Sequence, residues 1–262
     1  MLTIEDFTSA LESLELEEKP AIAHASLKSF GKINGGAETV LRALLASVSG
    51  LIMPAFTYKT MLIPEVGPPN NGMTYGKQRD LNLMTEPFYP DMSVDSLIGM
   101  LPETLRHYPV AMRTSHPILS FTGVDADTAL STQTIYNPFA PIAWLVERDG
   151  WVLLLGVDQT VNTSVHYAEK LAGRRQFVRW ALGTDRVIEC SGFPGCSEGF
   201  ESLQPDIESF SRRVEVGDSF IEAVPLQPLM QAVGERLKAD PLALLCQRDD
   251  CERCNALRVF VF

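Results

Sequence analysis

The chain has 262 residues, 45% hydrophobic and 21% charged, which is enough apolar material for a sizeable core and excludes a disordered polypeptide. Against 22 Lys and Arg stand 33 Asp and Glu, a formal net charge of −11 that repels phosphate backbones, so no nucleic-acid partner is expected. The N-terminal stretch is acidic and lacks an apolar signal core, and no run approaches the ~18 apolar residues that span a bilayer; no membrane association and a cytoplasmic location are expected. All five cysteines (Cys190, Cys196, Cys246, Cys251, Cys254) lie in the last third, an odd number unlike a secreted disulfide framework.

In chain order, Thr3 to Leu16 has Ile4, Phe7, Leu11 and Leu14 at helical spacing, with Thr3 placed to cap. Ala21–His24 is a short apolar run that fits a buried strand. A polar loop from Ser26 to Gly36 leads into a helix over Ala37–Val48 and a second buried strand at Leu51–Phe56. This β–loop–α–β order predicts a parallel strand pair with a helical crossover. Residues 58–92, rich in Pro, Gly and Asn, have no period and read as a lid or binding loop. A helical pattern resumes at Ser93–Tyr108, interrupted by Pro102, and again at Ala140–Glu147. Trp151–Val157 is a buried strand, followed by a helix from Thr163 to near Gly173. Strand-like segments at Phe177–Leu182 and Arg186–Cys190 and a helix over Leu226–Lys238 complete the pattern. The fold expected is a single α/β domain over residues 1–262. Its central sheet is mixed and partly parallel, flanked by helices, and the C-terminal half is elaborated. A division near residue 175 is compatible but not required.

Four groups of residues offer chemistry. His166 and Glu169 are three apart at the start of the helix after Trp151–Val157, on one helix face and at the carboxyl end of a strand, where open α/β sheets bind ligands. A carboxylate orients an imidazole and stabilises its cation, as a general base requires; a packed, capping His fits the spacing too. His24-Ala25-Ser26-Leu27-Lys28, with Gly35-Gly36 opening the next helix, suits an anion cradle or a plain tight turn. Arg113-Thr114-Ser115-His116-Pro117 offers a guanidinium to a phosphate or carboxylate, or simply ends a strand. Cys246-x₄-Cys251-x₂-Cys254 has the spacing of a plant-type ferredoxin motif without an evident fourth ligand. Cys190 or Cys196 would complete a zinc site, but reduced structural cysteines and no metal are the expectation.

Taken in order, these segments resemble the aminoglycoside 3-N-acetyltransferase family, the antibiotic N-acetyltransferase fold. The likeness rests on His24-Ala25-Ser26-Leu27 with Gly35-Gly36, Leu51-Ile52-Met53-Pro54-Ala55-Phe56-Thr57 and Gly99-Met100-Leu101-Pro102-Glu103. It continues through Arg113-Thr114-Ser115-His116-Pro117, Ser120-Phe121, Asn137-Pro138-Phe139, and Leu153 to Val157 running into Asn162-Thr163-Ser164-Val165-His166-Tyr167-Ala168-Glu169. It spans roughly residues 20–175. Ala25 stands where the family usually has serine, and Thr122-Gly123 replaces Ala-Ala.

The resemblance implies acetyl transfer from acetyl-CoA to an amine of an aminoglycoside, directly in a ternary complex. His166 and Glu169 would take the ammonium proton, and Thr163 would donate to the developing oxyanion. Ser26, Leu27, Lys28, Gly35, Gly36, Arg113 and Ser115 would hold the cofactor. Glu103, Glu86 and Asp91 are the expected amine ligands; the long loop also carries Glu65, Asp80 and Asp95, against Lys59, Lys77 and Arg79. A non-antibiotic metabolite amine, or a cysteine-based metal module without transferase activity, are the competing readings. The sequence does not fix the oligomeric state.

Overall fold

The computed structural model describes residues 1–16, 19–76 and 79–260. Helix α1 (Ile4–Ser13) starts where Thr3 donates its backbone N–H to the Asp6 carboxylate (2.7 Å), and it buries Phe7, Ala10 and Leu11. Strand β1 (Ala21–Ala25), a 3-10 turn at Leu27–Phe30, α2 (Gly36–Ser47) and β2 (Leu51–Pro54) follow. β1 and β2 are parallel, with α2 as the crossover between them, as their order along the chain predicts. Residues 58–92 contain only β3 (Met61–Leu62) and α3 (Arg79–Leu83) as described strand and α-helix. Helix α4 (Met100–Arg106) begins well after Ser93, so that Pro102 falls in its first turn, where a missing N–H costs nothing.

The second half carries β4 (Met112–Arg113), β5 (Phe121–Val124), α5 (Asp127–Ser131), α6 (Ala140–Val146), β6 (Trp151–Leu155) and α7 (Thr163–Leu171). Then come β7 (Phe177–Leu182), β8 (Val187–Phe193), α8 (Gln204–Ile207), β9 (Arg212–Val216), β10 (Ser219–Pro225), α9 (Leu226–Ala239) and α10 (Glu252–Arg258). Seven strands form one sheet in the order β4-β5-β2-β1-β6-β10-β9. Its centre, β2-β1-β6, is parallel, and β4, β5, β9 and β10 add antiparallel edges. A three-stranded antiparallel sheet, β3-β7-β8, stands beside it.

Both faces of the large sheet are covered, which is why its central strands read as unbroken apolar runs. Side chains alternate along a strand, so Ala21, Ala23, Leu153 and Leu155 face α1, α2 and α4 through Leu11, Leu41, Leu44 and Leu105. Ile22, Val152 and Leu154 face the opposite way, toward Ile142, Val165, Leu229 and Val233. His24, two residues after Ile22, therefore points to the same side as α7. After β6 comes Gly156, whose φ of +64° and whose approach to the Ser29 hydroxyl, where a Cβ would collide with it, admit no side chain. The Ser26 N–H, donating to the Leu155 carbonyl at 2.9 Å, holds the loop after β1 against the end of β6. No helix among the described residues is long and apolar enough to cross a membrane.

Candidate active site

β1 and β6 are parallel neighbours, paired from Ala21 with Trp151 to Ala25 with Leu155. The helix following β1, α2, packs on one face of the sheet, and the helix following β6, α7, packs on the other. Two chains leaving adjacent strand ends in opposite directions open a crevice at their carboxyl ends, the position where open α/β sheets bind ligands. A cavity of about 620 Å³ occupies it. Ala23 to Lys28, Pro54, Thr160 to Thr163 and His166 form the floor. Tyr58, Ser96 to Met100, Phe193 to Gly195, Ser197 and Arg253 line the walls, with Phe56, Pro102 and Val157.

Helix α7 is set by its cap: the Asn162 side-chain oxygen accepts the Ser164 N–H at 3.0 Å. The Asn162 amide is in turn held by Gln159 (2.9 Å), Gln159 by Glu222 (3.0 Å), and Glu222 by Gln204 (2.7 Å). This buried polar chain fixes the start of α7 against β10 and the helices beyond. From that start His166 reaches the cavity, its ring packed between Phe139 and Phe200, the latter edge-on at 4.7 Å. Its Nδ1 meets Glu169 Oε2 at 2.9 Å, and the other Glu169 oxygen accepts from Arg174. Arg174 also donates to the carbonyls of Pro241 and Ala243. With Nδ1 committed to a carboxylate that is itself anchored, Nε2 is the ring nitrogen left for a ligand in the cavity.

Thr163 lies beside His166, and its backbone N–H donates to His24 Nε2 at 3.4 Å. His24 must therefore be neutral, and burial does hold its pKa down at about 3. Ser26, Leu27 and Lys28 line the cavity with Thr163 and His166. The remaining expected site residues stand elsewhere. Gly35 and Gly36, both at positive φ, start α2 outside the cavity wall. Ser115 is also off that wall. Arg113 is committed to structure: it donates to Ser120 Oγ (3.1 Å), Ala55 O (2.8 Å) and Met92 O, fastening residues 90–92 to the chain beyond β2.

The expected amine ligands are likewise drawn away. Glu103 accepts from Arg106 (2.6 Å) and from the Val94 N–H (2.9 Å), and it opens on a separate depression with His107 and Tyr108. Burial raises its pKa, but the hydrogen bonds and the Arg106 charge outweigh that and hold it low. Glu86 pairs with Lys59 at 3.0 Å on the surface, and Asp91 is exposed in a turn. Lys77 and the Arg79 side chain lie outside the described residues. Tyr58 and Arg253 are cavity residues that sequence patterns did not single out, and His24 stood in a motif without a role of its own. The three come from distant segments.

A pH dependence of stability follows from two buried imidazoles. His116 Nδ1 accepts the N–H groups of Ile118 (3.2 Å) and Leu119 (3.0 Å), and burial lowers its pKa to about 4. His24 and His116 stay neutral in the folded chain but protonate near 6.5 when unfolded, so unfolding takes up protons below that pH. Their contribution is complete above pH 6.5 and declines on acidification toward pH 4, by up to about 1.4 kcal/mol per pH unit for each. Urea midpoints at pH 7 and pH 5 should show this loss. His116→Asn keeps an acceptor for both N–H groups and should remove roughly half of it; an undiminished loss in that variant would clear His116.

The model of a family described as aminoglycoside 3-N-acetyltransferase matches residues 22–238. An aminoglycoside N(3)-acetyltransferase III from Serratia marcescens is 28% identical over 232 residues, covering 78% of this chain and 84% of that protein. An aminoglycoside N(3)-acetyltransferase IX from Micromonospora chalcea is 32% identical over 165 residues, 59% of this chain and 56% of the relative. Among solved structures, the apoenzyme of aminoglycoside acetyltransferase AAC(3)-IVa superposes with a TM-score of 0.80 at 24% identity, covering 98% of this chain and 97% of that one. The AAC-IIIb structure described as a binary complex with CoASH has a TM-score of 0.72 at 21% identity, with 90% and 96% covered. These two show a shared fold. Because the matched region runs from β1 through α9, across the whole cavity floor, the chain belongs to the aminoglycoside 3-N-acetyltransferase family.

Proposed function

We propose that this protein is a cytoplasmic acetyltransferase that moves the acetyl group of acetyl-CoA directly to an amine of an aminoglycoside, both substrates being bound together. The observation that carries this reading is the buried His166–Glu169 pair at the cavity floor with Thr163 beside it. An amine is protonated near neutrality and cannot attack a thioester until a base takes its proton. His166 Nε2 takes that proton, while Glu169 fixes the tautomer and stabilises the imidazolium. The free amine then attacks the thioester carbonyl, the C–S bond breaks as the amide C–N bond forms, and the departing CoA thiolate takes a proton from the imidazolium. Thr163, on the same wall, is placed to donate a hydrogen bond as negative charge grows on the thioester oxygen. The direct route is favoured over an acyl-enzyme because the backbone of Ser26 bonds to Leu155 and Ser29, and no base among the described residues engages its hydroxyl.

Family membership and the CoASH complex of AAC-IIIb support acetyl-CoA as the donor. Lys28 and Arg253 are two cations on the cavity wall that suit a polyanionic cofactor. A mutant of AAC(3)-IVa solved in complex with a gentamicin supports an aminoglycoside acceptor. The whole chain would act as one domain, since a single apolar cluster joins β7 and β8 to the helices over the large sheet.

The test is thiol release from acetyl-CoA against a panel of aminoglycosides and simple polyamines. Turnover of an aminoglycoside with a free 3-amino group is the expected result. Turnover of a small metabolite amine alone would move the substrate class. Tight CoA binding without any turnover would leave the fold and overturn the reaction.

A further inference from the structure

Outside the region matched by the family model, the end of the chain brings three cysteines to a fourth. Cys246 lies in the irregular stretch after α9, Cys251 precedes α10, Cys254 sits within α10, and Cys196 comes from the loop after β8. Their four sulfur atoms all lie within 4.8 Å of one another, and all four residues are buried. We propose that Cys196, Cys246, Cys251 and Cys254 bind one structural Zn²⁺ as a closed tetrathiolate site that fastens the C-terminal segment to the cavity wall.

The dimensions fit a single metal ion. With Zn–S near 2.3 Å, the edges of a ZnS₄ tetrahedron are about 3.8 Å, within the observed upper limit of 4.8 Å. An iron–sulfur cluster would have to fit several irons and bridging sulfides between the thiolates, which needs a wider cage. The surroundings also fit thiolates. Arg253 adds positive charge beside Cys196 and donates to the Gly195 carbonyl at 2.9 Å. A nearby cation is what a site of net negative charge requires.

The local structure needs such a fastening. α10 has seven residues, too few to hold as a helix by itself, and it is reached through an irregular linker from Asp240. The two cysteine-bearing loops touch backbone to backbone: a Cβ on Gly199 would stand 2.5 Å from the Leu244 carbonyl oxygen. Phe193, Pro194, Gly195 and Ser197, which flank Cys196, line the catalytic cavity, as does Arg253 between Cys251 and Cys254. Zinc bound here would therefore set one wall of the site from behind. Binding releases the thiol protons and involves no change of oxidation state. Cys190, in β8, stands outside the group and takes no part.

Elemental analysis of protein purified with reductant and without added metal should find one zinc per chain. Cys251→Ser with Cys254→Ser should reduce it to background, while Cys190→Ala keeps it. If the double variant fails to fold, the wild-type protein still decides. Titration of its thiols with a mercurial should release zinc, and Co²⁺ put in its place should give the visible absorption of a tetrahedral thiolate complex. Chelation should lower Tm by on the order of 10 °C and make it depend on zinc concentration. Iron in place of zinc, paired disulfides in the isolated protein, or four free thiols with no metal would each overturn the assignment.

Discussion

Replacing His166 with Ala is expected to lower kcat for acetyl transfer by about 10²- to 10⁴-fold while leaving CoA affinity unchanged. The side chain is held by packing against Phe139 and Phe200 and by Glu169, so its loss removes a proton acceptor at one point of the cavity floor. Ser26, Leu27 and Lys28, which we assign to the cofactor, come from the other strand end and are held there by the Ser26 N–H bond to the Leu155 carbonyl. Steady-state kinetics together with calorimetric titration of CoA separate the two effects. Retained turnover would remove His166 from the role of base, and a parallel loss of CoA binding would make it a cofactor ligand instead.

The second large effect is expected at Glu169, and it should appear first in stability. Glu169 and Arg174 form an ion pair whose side chains are 2% and 6% exposed. Removing one partner of a buried pair leaves an uncompensated charge and costs about 3–5 kcal/mol. Glu169→Ala should thus lower Tm by on the order of 10 °C. Glu169→Leu combined with Arg174→Met removes both charges and should recover most of that stability. Activity should stay depressed in the double variant, because His166 has lost the carboxylate that orients it. Thermal melts and kinetics on the same preparations check both halves. Recovery of activity together with stability would reduce Glu169 to a packing role.

Local signals in the chain already contained the centre of the fold. Runs such as Ala21–His24 and Trp151–Val157 announced buried parallel strands because both faces of those strands are covered, so nearly every residue is apolar. The His166/Glu169 spacing announced a shared helix face because a helix of L-residues has one geometry whatever surrounds it. Edge strands were less legible. β9, with Arg212, Arg213 and Glu215, carries the charge pattern of a half-exposed edge, and β5 is only four residues long with a glycine inside it. Helix α10 lacks enough length for its own period to show.

The parallel core, the crossover, the helix that presents His166 and the motifs that mark the family are all written in local order along the chain. Tertiary structure alone decided which charged groups are free for ligands. Arg113 and Glu103, expected to bind ligands, are each engaged by partners within the fold, Ala55 and Met92 for one and Arg106 and Val94 for the other. It also decided that Cys196 joins the three C-terminal cysteines while Cys190, six residues earlier, does not. The reason is physical: backbone hydrogen bonding and apolar periodicity act over a few residues and leave their trace in local order. Pairing of buried polar groups is settled between residues far apart in the chain, and only the packed fold determines those pairs.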